Sequence, residues 1–208
     1  MTMTLLSPEH SVVVSRERRA RVVVLASGSG SNFAALADAA ADGSAPFAVR
    51  GLIYNVAGAG VAARASARGI PARLIAHQGF RSREEFDDAV VAALREMEAE
   101  WVAMAGWMRI ATTRLLEAFA GRILNLHPSL LPSFRGLRAV EQALAAGVKI
   151  SGCTVHAVVP AVDEGPIVGQ AAVPVLEGDD AASLGARIHA AEHLLYPMAL
   201  ARAIAAAG

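Results

Sequence analysis

Arg21-Val-Val-Val-Leu-Ala26, followed by Ser27-Gly-Ser-Gly-Ser-Asn32 and then the alanine-rich stretch from Phe33 to Ala41, decides the fold class. The first piece is a short β-branched run that suits a buried strand, the second supplies the glycines of a tight turn, and the third favours helix. Outward from this strand, loop and helix the same alternation repeats. Phe47 to Tyr54 reads as a second strand, Ala59 to Arg68 as a helix and Ala72 to Ile75 as a short strand. Ser82 to Glu100 reads as a long helix opening on a serine cap, and Trp101 to Ala105 as another strand. Each strand is nearly all apolar, which a parallel sheet covered by helices on both faces requires.

The second half changes character. Arg122 to Leu126 is strand-like, and Pro128 to Gly136, rich in proline and turn formers, is a loop. Cys153 to Val159 and Ile167 to Val175 read as two strands separated by an irregular connection, Pro160 to Pro166. Asp179 to Ala207 reads as one helix, bent near Pro197, with Asp179, Asp180 or Ser183 as its cap. The expectation is an α/β, Rossmann-like fold with a mostly parallel central sheet, helices on both faces, and mixed pairing toward the C-terminal half. Residues 1–20 are read as a flexible tail and residues 21–208 as a single domain.

With 208 residues and 54% hydrophobic content, the chain can bury one full core. Lysine plus arginine equal aspartate plus glutamate at 19 each, so no broad positive field draws in nucleic acid or an anionic membrane. No apolar run is long enough for a signal peptide or a membrane span. The single cysteine, Cys153, forms no internal disulfide or cysteine-rich metal cluster, and the histidine spacing gives no zinc signature. A reducing, cytoplasmic setting and no metal are expected.

Gly28 and Gly30 let the backbone turn sharply, and the amides of Gly30, Ser31 and Asn32 would point from a helix N-terminus toward an anion. The loop lacks the third glycine of a dinucleotide fingerprint and the Gly-Lys-Ser/Thr of a Walker loop, so NAD and ATP are poorly supported. Taken alone it is equally a phosphate cradle or a plain turn. Asn125-Leu-His-Pro128 adds the chemistry. Strand alternation puts Asn125 and His127 on one side, at the sheet rim where ligands of open α/β folds collect. A lone histidine there is more often structural, but Asn125 adds a neutral donor, and Asp163 or Glu164 could orient and charge the imidazole. Such groups suit acyl transfer in which an amine attacks a carbonyl and an oxyanion must be stabilised. Ser129 and Ser133 lack a nucleophile-elbow context, which disfavours an acyl-enzyme.

Over about residues 21 to 200 the chain resembles the glycinamide ribonucleotide formyltransferases. The resemblance rests on five motifs in order: Ser27-Gly-Ser-Gly-Ser-Asn32, Ala105-Gly-Trp-Met-Arg-Ile110, Asn125-Leu-His-Pro-Ser-Leu-Leu-Pro132, Gly152-Cys-Thr-Val-His156 and Asp163-Glu-Gly-Pro-Ile167. It implies transfer of the formyl group of 10-formyltetrahydrofolate to the amine of glycinamide ribonucleotide in purine synthesis, without a metal. It further implies Asn125, His127 and Asp163 as the catalytic trio, and Gly30, Ser31 and Asn32 as the phosphate site. Glu192, with its neighbours back to His189, would approach the ribose, with a solvated helix face as the other reading of Glu192. The folate would lie between Met108, Arg109, Ile110 and Ala111 on one side and Val159, Val162 and Asp163 on the other, touching Asn125, with Arg83 near its glutamate tail. Residues 21–121 then form a phosphate-binding half and 122–208 a catalytic and folate-binding half. Trp107 and Met108 read equally as pocket wall, and His156 as a core or supporting residue.

Two positions depart from the family, which often carries histidine in the stretch matching Gly136 to Val140, where this chain has Arg138 and Val140. Related folate enzymes share the Asn-x-His-Pro signature. A transfer-RNA formylase would need a further basic domain, and a formyl-folate hydrolase an added N-terminal one; neither is expected here. A binding module that has lost catalysis is disfavoured by the intact trio. The expected partners are the two small substrates, with the chain a monomer or a homodimer.

Overall fold

The computed structural model describes residues 4–7, 19–41 and 43–207. In chain order its elements are β1 (Leu5–Ser7), β2 (Ala20–Ala26), α1 (Ser31–Ala41), β3 (Phe47–Tyr54), α2 (Val61–Ser66), β4 (Ala72–Leu74), α3 (Arg83–Glu96) and β5 (Trp101–Met104). Then come α4 (Thr113–Ala118), β6 (Ile123–His127), α5 (Ala139–Ala145), β7 (Ile150–Ala157), β8 (Ile167–Pro174) and α6 (Ala181–Ala207).

Val22 to Ala26 are wholly buried because β2 lies inside the sheet with helices on both faces. Val22, Val24 and Ala26 join the core under α1 and α6, while Val23 and Leu25 join the core under α3, as a two-residue period demands. Each such Val or Leu stabilises the fold by roughly 1.5–3 kcal/mol relative to exposure.

The strands form one sheet in the order β1-β8-β7-β6-β5-β2-β3-β4. β4, β3, β2, β5 and β6 pair in parallel, whereas β7, β8 and β1 add antiparallel. The mixed, mostly parallel sheet expected from the sequence is thus present. Parallel pairing of β5 with β6 makes the sheet continuous across residues 121 and 122.

Part of the presumed tail is ordered. Leu5–Ser7 pairs with β8 as an antiparallel edge strand, satisfying backbone groups that β8 would otherwise leave open on that side; the rest of the tail reading lies outside the described residues or at Arg19 and Ala20. Arg19 donates to the Phe47 carbonyl at 2.9 Å, and Ala20 already belongs to β2. The helix read from Ser82 to Glu100 stops at Glu96, since Glu98 takes a left-handed conformation (φ 54°) that ends it. Its cap is as expected, Ser82 Oγ accepting the Glu85 N–H at 3.1 Å. Asp180 caps α6 by accepting the Ser183 N–H at 2.8 Å, while Ser183 Oγ accepts the Asp180 N–H at 3.0 Å. Pro197 sits inside α6, which continues past it as helix.

Among the described residues, no helix is long and apolar enough to cross a membrane.

Candidate active site

A cavity of about 430 Å³ opens beyond the carboxyl ends of β2, β5 and β6, within the range of small-molecule sites. Its floor is built by strand geometry. Asn125 and His127 alternate onto one face of β6, and His156 stands directly opposite Asn125 in the antiparallel register with β7. Cross-strand neighbours of this kind touch, and the Asn125 Nδ2 donates to His156 Nε2 at 3.1 Å.

The donor assignment follows from the partners. His156 Nδ1 lies 2.9 Å from the Ala157 carbonyl, which can only accept, so the neutral ring carries its proton there and accepts from Asn125 at Nε2. That fixes the Asn125 amide and leaves its second N–H unclaimed by His156. His127 Nε2 likewise donates to the Phe134 carbonyl at 2.8 Å, while its Nδ1 faces Asp163 Oδ2 at 3.3 Å. Two acceptors flank this ring, an arrangement that an imidazolium with two N–H donors satisfies in full.

Asp163 reaches the floor from the connection between β7 and β8, in a left-handed backbone conformation (φ 56°). Such strain in a residue other than glycine is characteristic of functional loops. Its Oδ2 accepts the Gly136 N–H at 2.9 Å, and its Oδ1 lies 3.5 Å from His156 Nε2. Burial pushes the Asp163 carboxyl upward, but the Gly136 amide and the charge of His127 outweigh it and hold the group below the usual carboxylate range.

The loop from Pro128 to Gly136 is stapled to the sheet. The Leu131 N–H donates to Thr154 Oγ1 at 3.0 Å, Thr154 Oγ1 donates to the Ser129 carbonyl at 2.7 Å, and Gln170 Nε2 donates to the Leu131 carbonyl at 2.9 Å. Ser129 is fully buried and donates to the Ser133 carbonyl, a structural bond that agrees with its exclusion as a nucleophile. Arg135 pairs with Glu164 at 2.6 Å, joining this loop to the one carrying Asp163.

In the turn beside the opposite wall, Gly30 is left-handed (φ 78°), and a side chain there would collide with Val61 of α2. Both facts demand glycine. Asn32 Nδ2 donates to Glu192 Oε2 at 2.7 Å across the cavity edge. Glu192 is only 3% exposed, so the solvated-face reading fails; α6 turns this carboxylate inward. Asn32 Oδ1 is buried without a protein partner.

The cavity wall therefore brings together Asn32, Asn125, His127, Asp163 and Glu192, with Met108, Arg109, Ile110 and Ala111 on one flank and Val159 and Val162 on another. Gly30, in the turn, and Ser31, the first residue of α1, precede Asn32 and do not line the cavity. Arg83 stands exposed at the start of α3, outside the cavity lining. Sequence reasoning did not identify Phe134 and Thr154 as parts of the site's support; their contacts depend on long-range pairing and a backbone carbonyl. Among the described residues, no group of three or more His, Cys, Asp or Glu side chains could hold a metal ion.

Asn125, His127 and a buried Asp163 at the carboxyl rim of a mostly parallel sheet, facing a glycine loop, make up the kind of polar floor that group-transfer enzymes use. Residues 20–200 match the formyl transferase family model, and the chain belongs to that family. A phosphoribosylglycinamide formyltransferase of Mycobacterium tuberculosis is 45% identical over 183 residues, covering 88% of this chain and 84% of that protein. The human trifunctional purine biosynthetic protein adenosine-3 is 44% identical over 184 residues, covering 88% of this chain, which thus spans only 18% of that protein's length. Among solved structures, glycinamide ribonucleotide transformylase 1 from Symbiobacterium toebii superimposes with a TM-score of 0.87 at 44% identity, covering 93% of this chain and 91% of the other.

Proposed function

We propose that the chain transfers the formyl group of 10-formyltetrahydrofolate to the amine of glycinamide ribonucleotide, giving formylglycinamide ribonucleotide and tetrahydrofolate in purine synthesis. The observation that carries this reading is the convergence of Asn125, His127 and Asp163 on one floor between a glycine loop and an apolar wall. The backbone amides of Gly30, Ser31 and Asn32 hold the substrate phosphate. Glu192, buried and steadied by Asn32, accepts from ribose hydroxyls. The folate lies between residues 108–111 and 159–163, with its glutamate tail toward Arg83.

The neutral amine attacks the formyl carbon, a C–N bond forms, and the carbonyl oxygen takes up negative charge. Asn125 donates to that oxygen through the N–H that His156 leaves free, and the positive charge of the His127 imidazolium, its two N–H groups held by Phe134 and Asp163, stabilises the oxyanion electrostatically. Asp163 holds the imidazolium in place. The amine nitrogen then loses a proton, the folate nitrogen gains one, and the bond between formyl carbon and folate nitrogen breaks. No covalent enzyme intermediate is needed. The small substrates are the partners, and the free, buried Cys153 suits a reducing, cytoplasmic setting.

The test is to follow deformylated folate by absorbance with and without glycinamide ribonucleotide. Turnover that needs the nucleotide and vanishes in His127→Ala is expected. Folate release without the nucleotide would mean a hydrolase, and binding without turnover a binding module.

A further inference from the structure

Ser27 is a buried polar residue, 8% exposed, that the proposed chemistry does not use. It stands where β2 ends and the glycine loop begins. The ladder between β2 and β5 runs past the strand ends, with the Ala105 N–H donating to the Leu25 carbonyl at 2.9 Å and the Ser27 N–H to the Gly106 carbonyl at 3.0 Å. Gly106 then turns left-handed (φ 73°), while the other chain departs toward α1, so the next backbone acceptor is missing. The Ser27 hydroxyl replaces it, accepting the Met108 N–H at 2.9 Å.

That bond holds the near end of the segment beyond it. Trp107 is buried and stacks on Phe86, with ring centroids 5.8 Å apart. Met108 and Ile110, however, are 69% and 54% exposed and gain little from packing. At the far end the Thr112 N–H is taken by Asp87 Oδ2 at 2.6 Å. Residues 109–111 run between these anchors along the cavity flank, with the Arg109 guanidinium 5.7 Å from the centre of the Phe86 ring and Ala111 packed on the core under α3. Of the anchors, Ser27 alone also belongs to the loop that leads into Gly30, Ser31 and Asn32.

We infer that Ser27 is a positioning residue that joins the glycine loop and the flank at 108–111 into one unit, so that a phosphate-bearing ligand on the loop raises the affinity of the flank for folate. The inference rests on the proposed function for the identity of the two ligands. A phosphate that fixes the amides of the loop also fixes Ser27, and an ordered Ser27 hydroxyl fixes the Met108 amide before the second ligand arrives. The second ligand then meets a segment already ordered, and the coupling must be reciprocal.

The experiment titrates the protein with an unreactive deaza analogue of 10-formyltetrahydrofolate, with and without saturating glycinamide ribonucleotide. One neutral hydrogen bond sets the scale, so the nucleotide should tighten the analogue by about threefold to tenfold in the native protein. The ratio should fall to one in Ser27→Ala and return in Ser27→Thr, which keeps the hydroxyl. Hydrogen exchange of the Met108 amide, read in the native protein, should slow when the nucleotide alone is added; this readout stands even if Ser27→Ala does not fold. A native ratio of one, an unchanged ratio in Ser27→Ala, or Met108 exchange indifferent to the nucleotide would overturn the inference while leaving the proposed function standing. Failure of the native protein to bind the analogue at all would overturn both.

Discussion

Asp163 Oδ2 lies 3.3 Å from His127 Nδ1, with both side chains less than a tenth exposed. The other oxygen of the same carboxylate faces His156, which receives the Asn125 amide. One carboxylate thus lies against both His127 and the partner of Asn125, and His127 and Asn125 are the two groups to which the proposed function gives the reacting carbonyl. In Asp163→Asn the shape is kept while the charge opposite His127 is lost. Steady-state kinetics should show kcat lowered by about 10²- to 10⁴-fold, with glycinamide ribonucleotide affinity little changed. An equal loss in nucleotide binding would contradict this division of roles.

Asn125 has its amide oriented by His156, and that orientation makes a separate prediction. Asn125→Ala removes an oxyanion donor and should lower kcat by about 10²- to 10³-fold. His156→Phe keeps a ring but offers no acceptor, so Asn125 is free to turn, and kcat should fall by a smaller factor. If His156 acts through Asn125, the double variant should be no worse than Asn125→Ala alone. Additive losses would mean that His156 has an independent part in the reaction.

The β2, glycine-loop, α1 unit was legible because three local signals agree there: β-branched residues, two glycines and alanines. Asn125 and His127 were legible for a similar reason, since a two-residue period puts them on one face whatever the rest of the chain does. The helices α4 and α5, only 6 and 7 residues long, carried too little periodicity to be read. The inward turn of Glu192 was hidden because α6 is alanine-rich all round, so no polar face marks which side meets solvent. The pairing of His156 with Asn125 joins residues 31 apart and depends on the register of β6 with β7, which no local pattern specifies. Leu5–Ser7 is too short to announce itself, and becomes a strand only because β8 offers it an edge.

The proposed function gives Asn32 two separable roles, one through its backbone amide on the phosphate and one through its side chain, which donates to Glu192. Asn32→Ala should keep the affinity for inorganic phosphate, whose proposed partners are backbone amides, yet weaken glycinamide ribonucleotide by about 3- to 10-fold as Glu192 loses its donor. Glu192→Gln should weaken the same ligand and spare the folate analogue. Calorimetric titration of each ligand separates these cases. A matching loss of phosphate affinity in Asn32→Ala would show that the turn itself had moved.

Two carboxylates give the fold opposite responses to pH. Asp163 is held below the ordinary carboxylate value when folded, despite burial, by the Gly136 amide and the charge of His127. Its contribution is present above the unfolded value, about 3.9, and is lost as pH falls through the lower folded value. Asp87 is pushed up by burial, a push that the Thr112 amide and Arg109 only partly offset. The folded state therefore binds the Asp87 proton more tightly than the unfolded chain does, so this contribution is greatest below about pH 3.9 and declines as pH rises through the raised folded value. Denaturant unfolding across acid to neutral pH should show Asp163→Asn flattening the acid-side loss of stability. Asp87→Asn should flatten the decline on the other side, its amide oxygen still able to accept the Thr112 N–H. Curves for either variant that run parallel to the native curve would sink the assignment for that residue.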